Sequence, residues 1–221
     1  MKRRRQAGFS FIEILVVMGI ISVLVSMVVF VVPMIQEKTR QTKSTDNVRG
    51  MLLYFIGSGV GVQQPWPGYN GKNFVLWLVA ANKIDRRDEK QLQILFSPGD
   101  QHLTFDLAGG MKAYETLTKE SLRTENPDLC KLTSYAGRRN KEKEHQLSSS
   151  DLSRNAIVIC DDDEGPLHHP KGLVIGYSGG AAKFVEWDDL GMGPPADEKN
   201  PEGILGDNSP NEDLKHMSSG N

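Results

Sequence analysis

Glu13 is a carboxylate set at the edge of hydrocarbon. Four cations precede it (Lys2, Arg3, Arg4, Arg5), and Ile14 to Val32 follow it without another charge. A carboxylate near the head of such a run is costly in a bilayer and normally has a task. Other residues have types and spacings that suit known chemistry. Gly176-Tyr177-Ser178-Gly179-Gly180 has the Gly-x-Ser-x-Gly spacing of a nucleophile elbow. That elbow needs a strand, a sharp turn and a helix, with an acid and a histidine later in the chain. Here the residues after Ser178 alternate as a strand does, and the one later histidine, His216, falls in an acidic tail. The segment therefore reads as a hairpin turn.

Asp161, Asp162, Asp163 and Glu164 cluster oxygen ligands of the kind calcium takes, with Asp161, Asp163 and Glu164 the candidate ligands. The spacing does not match an EF-hand, and the competing reading is a solvated loop at a strand end. His168 and His169 are adjacent, which does not by itself complete a tetrahedral zinc site. Gly57 to Gly61 is glycine-rich but lacks the Gly-Lys-Ser/Thr of a phosphate loop and follows a helical pattern, so it reads as a turn. Cys130 and Cys160 are the two cysteines. A bond between them is possible and would stabilise the fold by about 3–4 kcal/mol in the chain-entropy model.

The elements that must position these residues follow from periodicity. Phe9 to Val32 is long enough to cross a bilayer as a helix, rising about 36 Å. The basic cluster before it is expected to stay in the cytoplasm, placing the rest of the chain outside, where disulfides persist. A secretory signal peptide would have a shorter core and a small-x-small cleavage site, which Val31-Val32-Pro33-Met34 does not offer. Gly19, Ser22 and Ser26 share one helix face and would permit close packing. Pro33 predicts a bend, after which the helix resumes. Val48, Met51, Leu52, Phe55 and Ile56 recur at helical spacing and form a stripe able to dock on a domain.

Further along, Phe74 to Ala81 reads as a buried helix and Arg86 to Leu95 as an amphipathic one, with Leu92 and Leu95 inward. Leu103 to Leu107 alternates as a strand, and a helix is possible over Ala113 to Arg123. Gly137 to Ser153, rich in charge and serine, reads as an exposed loop. Ala156 to Cys160 is a strand. Gly172 to Tyr177 and Ala181 to Trp187 make a hairpin. Residues 191–221, rich in proline, glycine and acid, are expected to be disordered.

Length and charge bound the function. The 221 residues hold one membrane helix and one modest domain, and a net charge of −2 gives no basic excess of the nucleic-acid-binding kind.

The basic leader, Gly8, Phe9 and a glutamate four residues beyond Phe9 resemble the prepilin signature of type IV pilins and type II secretion pseudopilins. The resemblance covers about the first 50 residues. It implies cleavage between Gly8 and Phe9 by a prepilin peptidase, N-methylation of Phe9, and assembly of the helix into a filament through Glu13. The new Phe9 amine would lie one turn from Glu13, or be offered by a staggered neighbour. A His-x-x-Gly, His169 to Gly172, before the closing hairpin resembles the end of pseudopilin heads more loosely. Some major pseudopilins also carry a calcium loop near the C-terminus.

The expected fold is α+β, a long N-terminal helix (membrane half plus amphipathic half) packed on a small antiparallel β-sheet head. The expected plan is a leader over 1–8, the helix over 9–57 with its transmembrane part about 9–32, a periplasmic head over 58–190, and the acidic tail. The expected function is a non-enzymatic structural subunit of a type IV pilus or secretion pseudopilus, with no cofactor apart from the possible calcium. Its expected partners are the prepilin peptidase, other subunits, an inner-membrane assembly platform and the lipid bilayer. The competing expectation is a membrane-anchored periplasmic binding module that does not polymerise.

Overall fold

The computed structural model describes residues 9–100, 102–124, 126–148, 156–161, 167–195 and 204–218. The chain divides into two compact units, one ending at Thr39 and the other running from Arg40 to the C-terminus. Helix α1, Phe11–Gly57, belongs partly to each and includes Pro33 within its span. In the first unit its apolar side chains are exposed along the whole length, from Phe11 to Ile35. Among the described residues, none of the apolar window that is long enough to cross a membrane is buried. The hydroxyls in this stretch bond to the helix itself: Ser22 Oγ donates to Met18 O (2.8 Å) and Ser26 Oγ to Val23 O (2.7 Å). In hydrocarbon no outside partner would be available, so internal bonding is what the environment requires.

The second unit is an α+β domain. The last third of α1 turns Gln41, Ser44, Val48, Met51, Leu52 and Phe55 inward at spacings of three and four, one face of a helix. Helix α2, Gly71–Ala80, is buried along its entire length, as its continuous apolar run predicts. The short helix α3, Glu89–Gln93, starts where Asp88 accepts hydrogen bonds from the amides of Lys90 and Gln91. Among the described residues five strands follow: β1 (Tyr135–Arg138), β2 (Ile157–Asp161), β3 (Gly172–Tyr177), β4 (Ala182–Glu186) and β5 (Met217–Ser218). They form one antiparallel sheet in the order β4-β3-β2-β1-β5.

Alternation along the strands divides the core in two. Tyr135, Ile159 and Val174 join α1 and α2 in one cluster, while Ala136, Cys160, Leu173 and Ile175 join Trp187, Ile204, Leu214 and Met217 in the other. Helix α1 comes close to β3 at Gly176, where a Cβ would stand 2.5 Å from a Val48 methyl. The β3–β4 hairpin closes through Tyr177 and Gly180, with Gly180 at φ +88°, where glycine is favoured.

Four sequence expectations are corrected here. The tail is not disordered over 204–218. Ile204, Leu214 and Met217 are buried under the second face of the sheet, and Met217 pairs with Arg138. Sparse apolar residues suffice because they fill a face that the hairpin leaves open. Leu103 to Leu107 forms turns, with Ala108 N bonded to Thr104 O, instead of a strand. The region Ala113 to Arg123 holds 3₁₀ turns, Gly110–Tyr114 and Ser121–Arg123, in place of an α-helix. The supposed exposed loop opens with β1, and Arg138 is buried because its guanidinium donates to His145 O (2.7 Å) and Ile157 O (3.0 Å).

Leu214→Ala tests the packed tail. A buried leucine truncated to alanine costs about 2–5 kcal/mol. We expect a clear drop in the thermal midpoint of the detergent-solubilised chain, at about 2–4 °C per kcal/mol for a domain of this size. An unchanged midpoint would mean the tail does not contribute to the core.

Candidate functional site

The sequence draws attention to two places, and the structure treats them differently. At the head of α1, Phe9 is exposed and Ser10 occupies the position before the first helical residue. The Glu13 carboxylate turns back, and its Oε2 accepts a hydrogen bond from Ser10 N (2.8 Å). Ser10-Phe11-Ile12-Glu13 is thus one arm of a capping box, in which a glutamate at the third helical position satisfies the amide of the capping residue. The Ser-x-x-Glu spacing of Ser10 and Glu13 is the sequence signal for this cap. The carboxylate also lies at the positive end of the helix dipole. Gly8, the other side of the expected cleavage site, lies outside the described residues.

The second place is the end of β2. Asp161 is fully buried, not a solvated loop residue. Its Oδ2 lies 3.3 Å from His169 Nε2 and its Oδ1 lies 3.6 Å from His168 Nδ1. These are ion-pair approaches, not aligned hydrogen bonds. His168 Nε2 reaches Asp100 Oδ2 at 3.3 Å. From α1, Ser44 Oγ meets His169 Nε2 (3.1 Å) and Ser97 Oγ (2.8 Å). Gly99 permits the closure, since a Cβ there would stand 2.5 Å from His168 O. A polar cluster therefore ties α1, the Ser97–Asp100 turn and the sheet together inside the core.

Burial pushes the Asp161 carboxyl upward, but the two histidines beside it outweigh burial and hold it at about 2. Burial also raises Asp100, and His168 with the amides of Leu103 and His102 reverses this to a net lowering. The Tyr135 phenol is raised well above its usual value by burial and then by the Asp161 charge.

This arrangement is structural, not catalytic. Ser44, His169 and Asp161 have the composition of a hydrolytic triad, but serine and aspartate approach the same ring nitrogen. A relay needs them on opposite nitrogens. All three are sealed from solvent. Ser178 is likewise buried, in the hairpin turn, with its amide bonded to Ala156 O.

The calcium expectation is not supported by the placement of Asp161, which faces histidines. Asp163 and Glu164 lie outside the described residues. Among the described residues no group of three or more His, Cys, Asp or Glu side chains is arranged to hold a metal. The disulfide expectation is corrected: no bond joins Cys130 to Cys160. Cys160 packs in the cluster on the second face of the sheet, whereas Leu129 and Leu132, which flank Cys130, pack in the cluster on the helix side.

The depressed Asp161 value sets an acid limit. A carboxyl held below its unfolded pKa contributes stability above that unfolded value, near 4, and loses the contribution as pH falls towards about 2. Asp161→Asn should destabilise the head by about 3–5 kcal/mol, as removal of one member of a buried pair does. It should also flatten the stability profile between about pH 4 and pH 2. Denaturant unfolding of both forms across that range measures this, and parallel profiles would contradict it.

Residues 3–29 match a family described as the prokaryotic N-terminal methylation motif. No curated protein and no solved structure matches the chain. The motif covers Arg3 to Arg5, the Ser10–Glu13 cap and most of the exposed apolar helix. The matched segment leads into a long helix whose end packs on a five-stranded antiparallel sheet.

Proposed function

We propose that this chain is a structural subunit of a type IV pilus or type II secretion pseudopilus. The observation that carries the reading is the methylation motif over residues 3–29, continuous with an apolar helix that is exposed among the described residues. The motif implies a prepilin peptidase, with the cut between Gly8 and Phe9 and methylation of Phe9. The anchored precursor is single-pass, with the basic leader in the cytoplasm and the head on the other side of the inner membrane. On assembly, the exposed face of α1 exchanges lipid for other subunits, guided by an assembly platform.

Glu13 is the proposed assembly contact, and the capping geometry refines how it acts. Before cleavage the carboxylate holds Ser10 N. After cleavage a positively charged amine at Phe9 becomes available to it, from its own chain or a neighbour's. A buried carboxylate with such a partner costs less than a lone one, and removing the partner restores the cost.

Two substitutions separate the cap from the charge. Glu13→Gln keeps a side chain that can hold the Ser10 amide but carries no charge, whereas Glu13→Ala removes both. We expect both variants to be inserted and cleaved, and both to enter sheared filaments poorly. Wild-type incorporation of Glu13→Gln would show that the carboxylate acts through the cap alone. Wild-type incorporation of both would show that Glu13 is not the assembly contact.

A further inference from the structure

Two histidines fasten the C-terminal segment, residues 204–218, to the sheet. His145 is buried in the loop after β1, and His216 is half-buried just before β5. Their Nδ1 atoms face each other at 2.7 Å, with ring centroids 5.0 Å apart. Beside this contact Arg139 N donates to His216 O (2.8 Å), and Met217 and Ser218 pair with Arg138 and Gly137. The Arg139 guanidinium spans Asp207 (2.5 Å) and Glu142 (2.6 Å). Leu214 and Met217 of the segment fill the apolar cluster that also contains Cys160.

The histidine contact admits one shared hydrogen. Two ring nitrogens bond only when one carries hydrogen and the other offers a lone pair. Which ring donates follows from what faces the far nitrogen. Glu142 Oε2 stands 3.5 Å from His145 Nε2, which favours hydrogen there and leaves His145 Nδ1 as the acceptor. His216 Nδ1 is then the donor. A proton on His145 Nδ1 would remove the lone pair and set two N–H groups against each other. The surroundings resist that charge. Buried Arg138 donates from its guanidinium to His145 O (2.7 Å). Burial, then Arg138 and His145, lower the His216 pKa, against the opposing pull of Asp213 and Glu212. Glu212 is itself paired with Lys215 at 2.6 Å.

We propose that the His145–His216 pair is an acid-released latch, in which protonation of both rings parts them, lifts residues 204–218 from β1 and uncovers the second face of the sheet. The direction follows from His216. A histidine whose folded pKa is lowered binds its proton more readily when the segment is free. Docking is therefore complete above the free value, about 6.5, and weakens as pH falls through it. The loss at Asp161 comes lower, between about pH 4 and pH 2, so the latch opens while the rest of the head stays folded. The latch lies wholly within the head and does not rest on the assembly role.

The two cysteines supply the test. Cys160 is buried in the cluster that the segment completes, whereas Cys130 is half-buried beside Leu129, which packs on the helix side. The full chain in detergent micelles is treated with dithiodipyridine, and labelling at each cysteine is read by peptide mass. The ratio of Cys160 to Cys130 labelling cancels the reagent's own pH dependence. We expect the ratio to rise about tenfold between about pH 7 and pH 5, with far-ultraviolet circular dichroism unchanged. The double variant His145→Asn with His216→Asn should show no such step. Glu142→Gln keeps both rings and removes the carboxylate facing His145, so it should move the step to lower pH. A flat ratio in the unaltered chain, a step retained in the double variant, or a step unmoved by Glu142→Gln would overturn the latch. Loss of circular dichroism along with the step would also overturn it, by showing that the head unfolds as a whole.

Discussion

An apolar helix left exposed among the described residues is the constraint from which the rest follows. Burial of apolar surface contributes about 25 cal/mol per Å², and the large apolar side chains of Phe11 to Ile35 are exposed. Something outside the chain must cover them. On the proposed reading a bilayer does so, and its lack of hydrogen-bond partners would suit the bonds that Ser22 and Ser26 make back to their own helix. The same lack explains the cost of Glu13 and why that carboxylate finds an amide in its own first turn.

Beyond Arg40 the helix finds cover inside the head. Val48 and Leu52 lie over Gly176, where the absence of a side chain lets helix and strand meet. The contact is not purely apolar. Ser44, between His169 and Ser97, places one hydroxyl of α1 in a buried polar cluster anchored by Asp161. A helix shifted along its axis would bring a different residue to His169 and leave buried polar atoms unmatched. The cluster thereby fixes where α1 sits on the sheet, a specificity that apolar packing alone supplies weakly.

Features set by local pattern were legible in the sequence. The long helix, the inward stripe ending at Phe55, helix α2 and the β3–β4 hairpin all depend on periodicity or turn residues, and the structure contains each of them. Features set by distant partners were not. β1 was hidden because Arg138 looks like a surface charge until the carbonyls of His145 and Ile157 receive it. The tail looked too polar to fold because its few buried apolar residues, Met192, Ile204, Leu214 and Met217, complete a surface built by strands far away in the chain. Asp161 looked like a calcium ligand because nothing local indicates that it points inward at His168 and His169. At the head of α1 the missed signal was local: Ser10 and Glu13 have capping-box spacing, overshadowed by the charge argument.

The central claim is that the apolar helix belongs to a subunit released from its leader. Intact-mass measurement of the chain extracted from the membrane of cells that carry a prepilin peptidase tests it most directly. The account predicts a mass lacking residues 1–8 and increased by one methyl group on Phe9. A full-length mass with the leader retained would contradict it.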